Sequence, residues 1–366
     1  MPIYMDRHDV SESVTAENVA QLHQEDLKIQ NHFNCRGLTY WFDDIKKIAF
    51  CLIEAPDKES IHDMHNNAHG EVPNLILEVD ENIVESFLGR IEDPEKSPSD
   101  DLNIINDPAQ RTLMVVRFNP VSLIGVLNSQ SKSNMQQAIH TIADLLKKFG
   151  GRLTEHKEGY LLISFKSAHK SVLCAFELEA LFTDKLAGSY NSNIEIKIGL
   201  ATGMPVVANK AFFEDTIKLA DRLCFIDKSN IVISSEVQNL FITENLNAPF
   251  DHDKIHVLPL SEETFLNTLI DFIEKEWYNP ELKVDDFDLP LGMSKTQVYL
   301  KVMSLTGKSP NSFIKEYRLN KALERINQNR YTISEIAYET GFNSQSYFSK
   351  CFQRRFDLLP SDYIKS

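Results

Sequence analysis

The stretch from Ser294 to Phe356 carries helix start and stop signals at a spacing that few folds can use. Ser294 precedes KTQVYLKVMSLTG, in which Val298, Val302 and Leu305 recur at helical spacing and Gly307 ends the run. Ser309-Pro310 opens NSFIKEYRLNKALERINQ, with proline in the first turn, where its missing N–H costs nothing. TISEIAYETGFNSQSYFSKCFQRRF then predicts a helix over 333–339, a turn at Gly341 and a second helix over 344–356. Helix, short glycine turn, helix is the helix-turn-helix pattern. Two such units joined by one long helix make an all-α segment.

A helix fits the major groove of duplex DNA, with polar side chains on its N-terminal half reaching base edges. In the first unit these are Lys295, Thr296, Gln297 and Tyr299, with Lys301 for phosphate. In the second they are Ser344, Gln345, Ser346 and Tyr347, with Lys350, Arg354 and Arg355 for the backbone. The net charge of −15 opposes nucleic-acid binding only when taken as one number. Residues 290–366 hold twelve Lys and Arg against six Asp and Glu, a net of +6, so the preceding 289 residues carry −21. A basic tail on an acidic body fits a DNA-binding module joined to a domain with other work.

This segment resembles the DNA-binding domain of the AraC/XylS family over about 100 residues. The resemblance rests on GMSKTQVYLKVMSLTGKSPNSFIKEYRLNKA, ISEIAYETGFNSQSYFSKCFQRRF and LPSDY, with Glu335, Ala337, Gly341, Phe342, Ser346, Phe348, Phe352, Phe356 and Pro360 in the family's positions. It implies double-stranded DNA as the partner. VDDFDLPLGM departs from the pattern, because Asp288 and Pro290 stand where a regular helix precedes the first reading helix. The second unit is therefore expected to dominate affinity.

Two polar stretches, 93–108 and 245–261, read as linkers and divide the chain into segments 1–92, 109–244 and 262–366. In the first, IYMDRH, LTYWFD, KIAFCLIEA and NLILEV read as strands. TAENVAQLHQEDLKIQNHF and DKESIHDMHNNAH read as helices. That order is the βαββαβ, ferredoxin-like pattern. The middle segment alternates TLMVVRF, RLTEH, GYLLISF, IEIKIGLAT and NIVISS with helices at 168–186 and 212–225. The fold class is multidomain α+β: a ferredoxin-like domain, an α/β sandwich and a double helix-turn-helix.

The middle segment resembles a class III nucleotidyl cyclase domain through VVRF, KKFGGRLTEHKEGYLLISF, IKIGLATG and FFEDTIKLADRLC. Such cyclases need two acidic residues to hold two metals on a triphosphate. By position the first falls on Pro120 and is lost, and the second falls on Glu158. Lys218 replaces an asparagine, while Arg222 remains. The expectation is an inactive, cyclase-like domain that dimerises the chain. Nucleotide sensing through Glu158 and Arg222, or residual cyclase activity, is the alternative.

Six of the eleven histidines lie within the first 69 residues. In DKESIHDMHNNAHG, His65 and His69 are i, i+4 on one helical face, with His62 nearly alongside. Two imidazoles so spaced can serve one metal ion, and His8, Cys35, Asp6 and Glu25 are further ligand candidates. Residues 2–81 resemble small ferredoxin-like proteins described as nickel-binding, through YMDRHDV, GLTYWFDD and AFCLIEAPDKESIHDMHNNAHGEVPNLILEV. That resemblance implies a divalent metal, nickel or zinc, at His8, His65 and His69. Cys35 lies outside the family's pattern.

No apolar run approaches the ~20 residues that span a bilayer, and MPIYMDRHDV carries no secretory leader. Five cysteines without CxxC spacing suit reduced thiols. The sequence thus points to a cytoplasmic, one-component regulator rather than an enzyme or a membrane protein. It would be homodimeric, read DNA with its tail and take a metal or small molecule at its N-terminal domain. The competing readings are a nucleotidyl cyclase and a metal buffer whose tail no longer binds DNA.

Overall fold

The computed structural model describes residues 1–95, 102–120, 122–123, 140–157, 159–182, 194–208, 210–245, 253–328 and 330–365. The first segment forms a four-stranded antiparallel sheet, ordered β2-β3-β1-β4, from β1 (Ile3–Asp9), β2 (Arg36–Asp43), β3 (Ile48–Glu54) and β4 (Leu75–Val79). Helices α1 (Ala16–Ile29) and α2 (Lys58–Ala68) supply the two crossovers. Both begin at caps legible in the sequence: Thr15 accepts from Asn18 N, and Asp57 accepts from Ser60 N. Strand alternation puts Tyr40, Phe42, Cys51 and Ile53 on the helix-covered face. Met5, Trp41, Phe50 and Leu52 line the opposite face. The ferredoxin-like order predicted for this segment is present.

A further helix, α3 (Glu81–Leu88), follows β4 and was not read from the sequence. It joins the two sheets. Val84, Phe87 and Leu88 share one core with Met5 and Trp41 on one side and with Leu113, Val115 and Phe213 on the other. The buried Arg111 guanidinium donates to the carbonyls of Phe87 and Leu88, and Ser164 Oγ donates to Phe87 O at 2.8 Å. Part of the stretch read as a linker is also bound: Ile105 is buried, its N–H donates to Tyr40 Oη, and Phe42 N donates to Asp107 O.

The middle sheet has six strands in the order β10-β9-β8-β5-β7-β6. They are β5 (Arg111–Pro120), β6 (Arg152–Lys157), β7 (Tyr160–Phe165), β8 (Ile194–Gly203), β9 (Ile231–Ser234) and β10 (Ile255–Leu258). Helices α4 (Ala168–Ala180) and α6 (Ser235–Glu244) pack on one face and α5 (Glu214–Leu223) on the other. Close packing of α5 requires Gly199 on β8, because a Cβ there would lie 2.0 Å from Ala220 O. β10 lies inside the second stretch read as a linker, where it extends the sheet in parallel with β9.

The C-terminal segment is helical: α7 (Leu260–Glu276), a 3-10 turn (Val284–Phe287), α8 (Asp288–Leu291), α9 (Lys295–Thr306), α10 (Pro310–Asn327), α11 (Ile333–Glu339), α12 (Gln345–Phe356) and α13 (Pro360–Ile364). A 3-10 turn and the four-residue α8 replace a regular helix where Asp288 and Pro290 occur. Proline in that short run removes a donor and favours an early stop. Gly341 turns the second unit with φ +77°, and a Cβ there would meet Trp277 O at 2.7 Å. Among the described residues no helix is long and apolar enough to cross a membrane.

Candidate nucleic-acid interface and metal centre

The reading helix of the first unit is α9. Its start is closed by a reciprocal cap: Ser294 Oγ accepts from Gln297 N, and Gln297 Oε1 accepts from Ser294 N at 2.9 Å. Gln297, expected at a base edge, therefore has its carbonyl oxygen committed to its own helix. Lys295 Nζ pairs with Asp285 at 2.6 Å, and Lys301 Nζ stands 4.4 Å from the Phe265 ring centre. Thr296 and Tyr299 remain exposed on this helix, and Leu300 is 62% exposed beside them.

The second reading helix is α12. Ser344 is its N-cap and accepts from Tyr347 N, which commits that oxygen as well. Gln345, Ser346 and Tyr347 are exposed in the first turn of the helix. Lys350 and Arg354 are exposed and belong to no ion pair among the described residues. Arg355 does not join them. Its Nη1 donates to Pro120 O at 2.9 Å, and its Nε lies 3.5 Å from Glu316. The sequence could not foretell this, because Pro120 is 235 residues away.

Two donor sets meet between the N-terminal sheet and its helices: Asp6, His8 and Cys51, and Asp26, His65 and His69. Within each set the ligand atoms lie within 4.8 Å of one another. His65 links them, with Nε2 2.9 Å from Asp6 Oδ2 and Nδ1 3.0 Å from Asp26 Oδ1. His69 Nε2 lies 3.2 Å from Asp26 Oδ1, and its Nδ1 accepts from Glu71 N. His65 and His69, predicted from spacing, and His8, implied by the family resemblance, are thus brought together.

Cys35 is not brought to this cluster. Its thiol faces Phe33 O at 3.5 Å, and Cys51 is the cysteine within reach. The strand register explains the difference, since Cys51 pairs directly with Asp6 across β1 and β3. Likewise Asp26 reaches the site rather than Glu25, because one residue along a helix turns a side chain by about 100°. His62 is exposed. The signal that would have found Cys51 was its alternation along β3 with Ala49 and Ile53, which lie on the covered face.

Burial opposes charge on His65, yet its bonds to Asp26 and Asp6 outweigh that cost and raise it to about 10. Burial also opposes ionisation of Asp6, but the attraction of His8 and the hydrogen bond from His65 hold it below the ordinary carboxylate range. Burial first, then the Asp6 charge, pushes the Cys51 thiol well above its ordinary value. The cluster is thus a carboxylate–imidazolium–carboxylate relay. One atom stands outside it: His8 Nε2 is buried without a hydrogen-bond partner, although Asp6 Oδ1 is 3.3 Å away. A buried imidazole nitrogen left without a hydrogen bond, among oxygen, nitrogen and sulfur donors, fits a divalent metal ion.

Of the residues assigned to nucleotide, Glu158 lies outside the described residues. Arg222, buried on α5, donates to Asn267 Oδ1 at 2.9 Å and pairs with Asp271 and Glu274, all on α7. Its guanidinium therefore ties the middle domain to the C-terminal segment, and the assignment to nucleotide is corrected accordingly.

Residues 290–366 match the family described as "Helix-turn-helix domain", and residues 4–79 match "Nickel responsive protein SCO4226-like". The chain is 36% identical over 124 residues to histidine kinase P4 of Formosa agariphila, which takes in 32% of this chain but 9% of that protein. It spans about a third of the regulators ExsA and MtrA. By contrast, it is 31% identical over 104 residues to the regulatory protein SoxS of Salmonella typhimurium, covering 96% of that protein and 28% of this chain. A crystal structure described as adenylate/guanylate cyclase/hydrolase from Silicibacter pomeroyi is also similar, with TM-score 0.31 and 17% identity, covering 38% of this chain and 85% of that one. The match to SoxS over nearly its whole length, on the two units described above, places the chain through its C-terminal domain in the AraC family of helix-turn-helix transcription regulators.

Proposed function

We propose that this chain is a one-component, sequence-specific regulator in which a divalent metal at the N-terminal domain modulates DNA binding by the C-terminal one. The observation that carries the metal half is the convergence of His8, His65, His69, Asp6, Asp26 and Cys51 between sheet and helices. The metal, nickel or zinc as the resemblance of this domain implies, would supply positive charge and a coordination demand. The chain's own residues do the rest. His65 must release a proton to become a ligand, and His69 must give up its bond from Glu71 or its contact with Asp26. Loss of the His65 proton breaks one of the bonds that hold α2 to Asp6 of β1 and Asp26 of α1.

The sheet that carries Asp6 and His8 on one face carries Met5 and Trp41 on the other, packed through α3 onto the middle domain. The middle domain in turn shares a core with α7, α9 and α10. A rearrangement at the cluster therefore has packed side chains to act through, as coupling between distant sites requires. Effector control also requires the metal to bind one arrangement better than the other. DNA affinity of the full chain with and without Ni²⁺ or Zn²⁺ tests this directly. Equal affinities would reject metal control and leave DNA binding intact.

On DNA, Gln345, Ser346, Tyr347, Thr296 and Tyr299 are the proposed base-edge readers, with Lys350 and Arg354 on phosphate. Dimerisation through the middle domain belongs to the same proposal, since regulators of this kind read paired sites; sedimentation of the full chain measures it. The nucleotidyl cyclase alternative is weakened by the engagement of Arg222 with α7. An assay with ATP or GTP and Mn²⁺ decides it.

A further inference from the structure

The two helix-turn-helix units do not share one core. In the first, Val302, Leu305, Phe313 and Tyr317 cluster with Leu223 and Ile226 of the middle domain, and Asp227 N donates to Leu305 O at 3.0 Å. The second is built around Phe342, Phe348, Phe352 and Phe356. Into that second core comes a residue from far upstream: Leu123, 2% exposed, packed among these rings and Leu319 of α10. Leu123 stands three residues after Pro120, the end of β5, whose carbonyl accepts from Arg355 on α12.

These contacts close a triangle. α10 runs from one unit to the other, giving Phe313 and Tyr317 to the first core and Leu319, Ala322 and Ile326 to the second. The middle domain holds the first unit at Leu305 and the second at Leu123 and Arg355. β5 is paired to β7 as far as Arg117 and to β8 along its whole length to Pro120, so its end is anchored through β8. The angle between α9 and α12 is thus braced from outside the DNA-binding domain as well as by α10. On duplex DNA that angle matters, because each added base pair shifts a box by roughly 3.4 Å and turns it by about 35°.

We propose that Leu123 and Arg355 are positioning residues for DNA reading: they pin the second unit to the middle domain and so fix the spacing between the two boxes that one chain reads. This rests on the DNA-binding reading above. Arg355 then acts by holding α12 rather than by touching phosphate.

The test uses the full chain and selection from a random duplex pool, followed by affinity measurements on the selected site with one base pair inserted between its boxes. Wild type and Leu123→Ile should both lose about tenfold or more on insertion, comparable to a mismatched base pair. Leu123→Ala should lose less than about threefold and return selected sites of mixed spacing. Hydrogen exchange of the α12 amides is measured alongside. An unchanged tenfold loss in Leu123→Ala overturns the proposal. So does loss of the second box together with unprotected α12 amides, for Leu123 would then hold the unit's fold and not its position. If wild type selects no duplex at all, the DNA reading beneath the proposal fails with it.

Discussion

Nε2 of His65 lies 2.9 Å from Oδ2 of Asp6, and both side chains are buried between the N-terminal sheet and helix α2. Asp26 takes the other ring nitrogen of His65 at 3.0 Å, so one imidazolium is clamped by two carboxylates. The relay makes this domain sensitive to protons.

In the metal-free protein, stability should therefore peak in mildly acidic solution. His65 is raised from 6.5 to about 10, so its contribution is full below pH 6.5 and fades as pH rises through 10. Asp6 and Asp26 are held below 3.8, so theirs is present above that value and is lost on further acidification. Urea unfolding across this range should show a plateau between about pH 4 and 6.5 and a decline above it. His65→Gln should flatten the alkaline limb and cost about 3–5 kcal/mol at pH 6, since it leaves carboxylates buried without their cation.

Metal uptake should release protons. Titration calorimetry with Ni²⁺ or Zn²⁺, in buffers of different ionisation enthalpy, should report at least one proton released per ion from His65. A His65→Ala/His69→Ala double variant should weaken binding by more than about 100-fold, beyond what loss of a supporting group costs. Cys51→Ser should weaken binding as well, whereas Cys35→Ser should not. A Cys35→Ser variant as defective as Cys51→Ser would reverse that assignment.

The second unit should carry most of the phosphate contacts. Lys350→Ala with Arg354→Ala should lower the salt slope of DNA binding by about 2, near one per cation removed. Lys295→Ala with Lys301→Ala should lower it by less than about 1, because Asp285 and Phe265 already engage those two cations. Equal slopes for the two pairs would contradict the unequal roles.

Arg222→Ala should loosen α7 from α5. Its guanidinium is 4% exposed, but Asp271 and Glu274 are roughly half exposed, which limits what each ion pair contributes. A loss of about 1–3 kcal/mol in denaturant unfolding is expected. Hydrogen exchange should localise it to residues 260–276.

Gly341→Ala should disable the second unit. The position has φ +77°, and the added methyl would meet Trp277 O at 2.7 Å and Arg318 Nε at 2.8 Å. Strain of about 2 kcal/mol or more should appear as earlier unfolding of α11 and α12 in hydrogen exchange.

Much of this architecture could be read before any coordinates. Helix starts at Thr15, Asp57, Ser294, Ser309 and Thr332 depend on contacts three residues apart, so local sequence determines them. The βαββαβ order follows from alternating and helical periodicities, and the paired helix-turn-helix from its caps and glycines. His65 and His69 were legible because i, i+4 neighbours meet on any helix.

What escaped the sequence depends on which distant segments meet. Cys51 replaced Cys35 because the β1–β3 register faces it with Asp6. Asp26 replaced Glu25 because α1 presents one face to α2. Gln297 and Ser344 sit on predicted reading helices, but their oxygens close helix ends. Arg222 and Arg355 looked available for ligands until tertiary packing brought Asp271 and Pro120 to them. The C-terminal units are thus determined by the chain's local signals, which act over three or four residues. Their attachment to the body, through Leu123 and Arg355, was decided only by tertiary structure, because burial and charge pairing act between residues that periodicity does not connect.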